Sequence, residues 1–489
     1  MKELLFLALF FPLLTGLASM FQVKTVHLKA VNLSGGILTS LVLGIIIYQI
    51  GIDGAFHDGL LYVDALSAVL LITVAVLTIT SMLLSSSYME KELLDGHITF
   101  KMLRRYYGLL NLFIFTMVSV LVVENLGLMW VAIEATTLAS ALLVAFYFNH
   151  SALEAAWKYV MVCTVGICLA LLGSILLYYA QANVVGNGVQ ALSWLELKSV
   201  GYQLDPMISK LAFIFILIGY GTKAGLAPMH TWLPDAHSQA PSPVSGLLSG
   251  ALLSCAVYVI IRNFIVVQAV LKGEFLQLLL IGFGIFSIGI ALPFILVQHD
   301  IKRLLAYSSV EHMGIIVLGI GLATPLAIYG ALFHIINHAI SKSSLFYLAG
   351  MISQEYRTKS ILRIKGIIGT MPLSGILFML LILAITGSPP FSIFLSKFII
   401  IWAFFTEGRF ILGAIVLLLL AGIFAGMMHY CLAMVFSKPP KHKVISQSIS
   451  KPALLSLILS ASLLIITGIF VPEWLHQILH NAVVVVMGG

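Results

Sequence analysis

The sequence predicts an all-α polytopic membrane protein of about fourteen transmembrane helices, with two inverted five-helix repeats that each contain one broken helix. Three observations carry this. Only 9% of the 489 residues are charged and 61% are hydrophobic, too little charge to cover a soluble chain of this length. Apolar runs long enough to cross a bilayer recur from end to end. Two of those runs are interrupted by glycine and proline close to a lysine.

In chain order the predicted spans are 4–21, 30–50, 61–87, 106–123, 125–148, 153–180, 207–227, 241–268, 274–298, 303–322, 325–349, 371–406, 409–436 and 452–471. The first, "MKELLFLALFFPLLTGLASM", also has the form of a signal peptide. Further spans and no soluble domain follow it, so it reads as an uncleaved helix. The twelfth is too long for one straight crossing and carries "TGSPPF" (386–391), so it reads as one broken helix. Residues 1–489 form a single membrane domain: helices 1–3 (1–105), a first repeat of helices 4–8 (106–268), a second of helices 9–13 (274–436), and helix 14 (452–471).

Sixteen basic residues, from Lys24 to Lys451 and including Lys302, Lys441 and Lys443, fall in odd-numbered loops. Six fall on the opposite side: Lys2, Lys198, Lys210, Arg262, Lys272 and Arg409. This bias puts the odd loops in the cytoplasm and both termini on the outer side of a prokaryotic inner membrane. It also accounts for most of the net charge of +7 and, without a basic patch, gives no reason to expect nucleic acid. Cys163, Cys168, Cys255 and Cys431 lie in spans, form no CxxC and read as small buried hydrophobes. No glycine-rich nucleotide loop is present, so no cofactor is expected on this chain.

The chemistry sits in charges at membrane depth. Lys158, Lys223, Lys342, Lys397, Glu134, His334 and His338 fall well inside apolar runs, where each must face protein or water and find a partner. So many on different helices point to an ion pathway more than to structural pairing. His334, His338 and Lys342 in "FHIINHAISK" stand at i, i+4 and i+8 on one helical face. Two histidines without a nearby acid or cysteine make a poor metal site, and bis-histidine haem needs facing helices. A titratable stripe along a wet axis fits better, because imidazole and a desolvated amine both exchange protons near neutral pH. Glu154 and Lys158 are also spaced i, i+4, which fits a local surface pair equally well. Gly225 and Pro228 follow Lys223, and Gly387, Pro389 and Pro390 precede Lys397. Both breaks free backbone groups and admit water beside an amine. Aligning them sets Glu134, Lys158 and Lys223 against Glu311, Lys342 and Lys397. Five helices per repeat then require the second copy to be inverted.

The segments "LPDAHSQAPSPVSGLLSG" (233–250), "DIKRLLAYSSVEHMG" (300–314), "FHIINHAISKSSLF" (333–346) and "GSPPFSIFLSKF" (387–398) resemble the antiporter-like proton-channel subunits of complex I and its relatives. The resemblance covers about residues 60 to 436. "ALEAAWKYV" and "SVEHMG" make the chain most similar to the hydrogenase-4 component F group and its equivalents in membrane-bound nickel–iron hydrogenases and formate hydrogenlyases. Multisubunit cation/proton antiporters share the fold. The resemblance implies a proton path along the membrane midplane, with Glu134 and Lys223 as a coupling pair, Lys397 near the exit and His334, His338 and Lys342 as the polar stripe of helix 11. His230, His237 and Glu311 are further candidates. Where complex I subunits usually carry a lysine or histidine in helix 8, this chain has Ser254.

Two functions follow. One is the proton-translocating subunit of a redox-driven complex, with nickel–iron and iron–sulfur centres in partner subunits and a peripheral redox arm. The alternative is one component of a multisubunit cation/proton antiporter, carrying H⁺ or Na⁺ with no redox partner.

Overall fold

The computed structural model describes residues 1–186, 192–271, 274–439 and 449–488. Lys272, Lys441 and Lys443 lie outside them. The membrane-crossing helices are α1 (Lys2–Met20), α2 (Thr25–Asp53), α3 (Ala65–Leu94), α4 (Phe100–Val122), α5 (Leu126–Val144) and α6 (His150–Val185). Next come a broken α7 (α7a, Pro206–Ala224; α7b, Trp232–Gln239) and α8 (Ser242–Val270). The second half continues with α9 (Glu274–Leu296), α10 (Ile301–Gly321), α11 (Pro325–Tyr356) and a broken α12 (α12a, Pro372–Thr386; α12b, Ser392–Thr406). α13 (Phe410–Phe436) and α14 (Lys451–Ile469) complete the crossings. Among the described residues 12 of these are long and apolar enough to span as they stand. The other two are α11, with its polar stripe, and α12, whose halves are 15 residues each. The fourteen predicted spans are therefore all present.

Local chemistry starts the helices where the sequence supplies a cap. Asp64, Asn125, Asn149, Asp205, Asp300 and Thr324 each accept a hydrogen bond from a first-turn amide of α3, α5, α6, α7a, α10 and α11. Several short elements lie outside the predicted spans. A hairpin pairs Phe56–Asp58 with Leu61–Val63, and α15 (Glu473–Val486), 14 residues long, buries Leu475, Leu479 and Val486.

Packing then sorts polarity by depth. α8 and α10 are buried all round, whereas α13 and α14 are mostly exposed and present residues such as Leu418 and Ile411 outward. Lipid-facing leucine and isoleucine cost nothing in a bilayer, so the ionisable groups collect in the inner helices.

The loops fall on two faces in the predicted sets. On one, Lys91 pairs with Glu355, Lys29 with Glu90, and Asp300 bridges to Ser360. On the other, Lys2 meets Asp58 at 2.9 Å and Arg409 donates to Gln277 at 2.7 Å. Two basic residues counted in loops are instead inside the protein. Arg262 is fully buried on α8 and forms a bidentate pair with Asp64 (2.7 and 2.6 Å). Lys302 is buried at the start of α10, donating to the Ala240 carbonyl at 2.8 Å.

Candidate functional site

α7a ends at Gly225, whose φ of +76° only glycine adopts without strain. The carbonyls and amides freed by the break are satisfied by protein: Trp232 Nε1 donates to Thr222 O at 2.9 Å and Ala227 N to Ser287 Oγ at 3.0 Å. The expected opening to water beside Lys223 is thus a sealed bend in which Lys223 has no exposure. Its Nζ donates to Thr137 Oγ1 at 2.8 Å and to Tyr159 Oη at 2.6 Å. Thr137 in turn donates to Glu134 Oε2 at 3.1 Å, and Tyr159 meets Ser140 at 2.7 Å. Glu134 and Lys223 are therefore joined through one hydroxyl and make no direct ion pair. Glu134, partly exposed, also accepts from Thr164 of α6 at 3.4 Å.

Lys158 does not join this group. It is 47% exposed near the start of α6, pairs with Glu154 at 2.6 Å and reaches Asp235 at 3.3 Å. The local i, i+4 pair is what forms, because the residue lies two turns into a helix that begins at His150.

α12a ends in the same way, at Gly387 with φ +90°. Lys397, from α12b, donates to Glu311 Oε1 of α10 at 2.8 Å. It also approaches the Ile385 and Thr386 carbonyls (3.5 and 3.4 Å) that the break leaves free. A cation at the C-terminal end of a half-helix is favourably placed against the dipole. Both glutamate–lysine units link equivalent members of the two sets, α5 with α7 and α10 with α12.

The histidine stripe lies against the second unit. His334, His338 and Lys342 all face inward from α11 and are fully buried. His334 Nε2 lies 2.8 Å from His312 Nδ1, and His334 Nδ1 lies 2.8 Å from Ser396 Oγ. The His312 and His338 rings are 5.1 Å apart. Lys342 Nζ donates to Leu305 O at 2.7 Å and to Ser308 Oγ. Among the described residues neither ring nitrogen of His338 has a hydrogen-bond partner, and His312 Nε2 has only the Glu311 carboxylate at 3.9 Å.

His312 completes the cluster and was not singled out from sequence, although it stands beside Glu311 in "SVEHMG". Adjacent residues on a helix normally face different ways. Here α10 is buried all round, so both directions are interior. Thr137, Tyr159 and Ser140 carry no charge and left no signal in the apolar runs.

Ser254 closes the backbone: its Oγ donates to Gly250 O at 2.8 Å, beside a π-helical turn at Leu248–Leu252. The polar contact from α8 to α10 is made by Ser249, 2.8 Å from Ser309 Oγ. His237 is fully buried, stacked at 4.8 Å on Phe346, with both nitrogens unpartnered. His230 packs beside Phe294 and Tyr307, away from the stripe. Cys163, Cys255 and Cys431 are buried, whereas Cys168 is exposed on α6. Among the described residues no group of three or more His, Cys, Asp or Glu is arranged to hold a metal.

Both clusters consist of groups able to exchange protons: carboxylate, hydroxyl and amine in the first, imidazole, amine and carboxylate in the second. A family profile described as NADH:quinone oxidoreductase/Mrp antiporter, transmembrane, matches residues 123–428. The chain is 40% identical over 345 residues to the hydrogenase-4 component F homolog of Methylacidiphilum infernorum, covering 71% of this chain and 72% of the relative. It is 29% identical over 456 residues to a Na(+)/H(+) antiporter subunit of Alkalihalophilus pseudofirmus, covering 87% of this chain and 54% of that longer relative. A chain of respiratory complex I from Thermus thermophilus has the same fold, with a TM-score of 0.84 at 21% identity over 99% of each chain. The polar axis thus lies in a chain that belongs to the NADH:quinone oxidoreductase/Mrp antiporter transmembrane family.

Proposed function

We propose that the chain is the proton-translocating membrane subunit of a redox-driven complex of the membrane-bound hydrogenase, formate hydrogenlyase or complex I type. The observation that supports this most is a pair of buried ionisable clusters, Glu134–Thr137–Lys223 in one half and His334–His312 beside Glu311–Lys397 in the other. Lys223 is held by two neutral hydroxyls, so its proton is not locked by a carboxylate. Protonation of Glu134, two hydrogen bonds away through Thr137, removes about 3 kcal/mol of its attraction for the Lys223 ammonium at an effective dielectric near 20. That favours loss of the amine's proton towards the second half. There the imidazoles pass it between ring nitrogens, with ordered water at the unpartnered nitrogens of His338 and His237. Protonation of Glu311 releases Lys397 and completes the transfer.

In this reading the electrons run through other subunits, with nickel–iron and iron–sulfur centres in a peripheral arm bound to neighbouring membrane subunits. The complex sits in a prokaryotic cell membrane with both termini of this chain outside. The similarity to the Na(+)/H(+) antiporter relative supports a second reading, cation/proton exchange without a redox partner. Purifying the tagged chain from its native membranes separates them. Copurified nickel and iron–sulfur proteins, with vesicle acidification that follows their turnover, support the first. Purely membrane-embedded partners and cation-driven proton exchange overturn it in favour of the second.

A further inference from the structure

α1 and α4 cross so closely at Gly16 that a Cβ there would meet the Gly108 carbonyl at 3.3 Å. With both positions bare, the crossing leaves a groove of 440 Å³, walled by Leu13, Leu17, Leu109, Leu112 and Phe146, with Arg105 its one charged lining residue. The groove opens outward: Leu17 is 61% and Leu142 is 53% exposed. Along α4 it runs from Met102 to Leu112. That is about 15 Å at 1.5 Å per residue, or half of a ~30 Å hydrocarbon core. It is therefore one leaflet long.

Its charged end is unbalanced. Lys101, Arg104 and Arg105 share the first turns of α4, which has no acidic residue in its first turn. Arg104 donates to the Met20 carbonyl at 3.0 Å. Lys29 and Lys91 of the same face take Glu90 and Glu355. Lys101 and Arg105 are left without a carboxylate among the described residues. An apolar slot of leaflet length ending in two unpaired cations has the polarity of an anionic amphiphile.

We propose that this groove binds an anionic phospholipid of the adjoining leaflet, one acyl chain between α1 and α4 and the phosphate at Arg105 and Lys101. The full chain, with whatever subunits copurify, is placed in nanodiscs of mixed phosphatidylethanolamine and phosphatidylglycerol. Lipid retained per chain is then read by native mass spectrometry. One phosphatidylglycerol held in preference to phosphatidylethanolamine is expected. Arg105→Ala should cut that preference about fivefold, the effect of one basic residue near an anionic surface. Leu142→Trp fills the slot without changing charge and should expel the lipid. Retention at the bulk ratio, or an unchanged preference in both variants, overturns the proposal. So does a partner-subunit helix that crosslinks to Leu17→Cys in place of lipid.

Discussion

Lys397 and Glu311 form a direct, buried ion pair, Nζ to Oε1 2.8 Å, whereas Lys223 and Glu134 meet only through Thr137. The two units occupy corresponding helices, so the difference is one of electrostatic state rather than of placement. The direct pair locks its amine onto a carboxylate. The bridged unit leaves its amine to neutral hydroxyls and responds to charge at a distance.

The locked end should show itself in stability. Removing one partner of a buried pair leaves an uncompensated charge and typically costs about 3–5 kcal/mol. Lys397→Met and Glu311→Gln should therefore each lower the thermal unfolding temperature in detergent, and the double variant should recover most of the loss. Lys397→Met also strips the Ile385 and Thr386 carbonyls of their donor, and should be the milder of the two only if those contacts contribute nothing. Glu134→Gln should unfold like wild type, since Glu134 is partly exposed and bears no ion pair. A double variant no more stable than either single one would show that the pair is not the unit.

The responsive end should fail without unfolding. Thr137→Val keeps the shape and removes the hydroxyl that links Glu134 to Lys223. A hydrogen bond to a charged group contributes about 1.5–3 kcal/mol, so proton pumping in sealed vesicles should drop roughly tenfold or more. Thr137→Ser, which keeps the hydroxyl, should pump close to wild type. Full pumping by Thr137→Val would remove the bridge from the path.

The readable part of this site was the part that violates an apolar run. Lys223, Lys397 and Glu134 stand out because charge is rare there, Glu311 only once the two breaks are aligned, and the His334–His338–Lys342 stripe because its period is helical. Thr137 and Tyr159 were invisible, since a hydroxyl is unremarkable in a transmembrane helix until packing brings it against an amine. Lys158 was ambiguous for the opposite reason: its run is apolar, but the helix begins only two turns earlier, at His150, and of its two readings the local pair with Glu154 is the one that forms. Arg262 and Asp64 are 198 residues apart, a pairing no local pattern announces. The spans were legible from length alone, and α15 was missed because 14 residues are too few to span.

The basic-loop bias yields a prediction that the structure sharpens. Leu362, 68% exposed in the loop that Ser360 bridges to Asp300, is a probe of the predicted cytoplasmic face. On the opposite face Tyr202 is 70% exposed. In intact cells a membrane-impermeant maleimide should label Tyr202→Cys and leave Leu362→Cys untouched, with the pattern reversed in inside-out vesicles. Labelling of Leu362→Cys from outside would invert the orientation.

The middle of the axis is tested at His338. A buried histidine that merely ties helices together should donate or accept a hydrogen bond, and its loss should weaken folding. His338 does neither: both nitrogens are unpartnered, while its ring lies 5.1 Å from His312 and one turn from Lys342. Its bare nitrogens are suited to hold water and exchange protons with it. His338→Ala should therefore assemble normally yet lose most of its pumping, beyond the loss in Ser254→Ala, whose hydroxyl is already committed to Gly250. Ser249→Ala, which breaks the α8 contact to Ser309, should fall between them. Pumping assays beside measurements of assembly and partner turnover would distinguish the roles. Normal assembly with full pumping in His338→Ala would leave the histidine stripe out of the path, with a continuous file of water carrying the proton from Lys223 to Lys397.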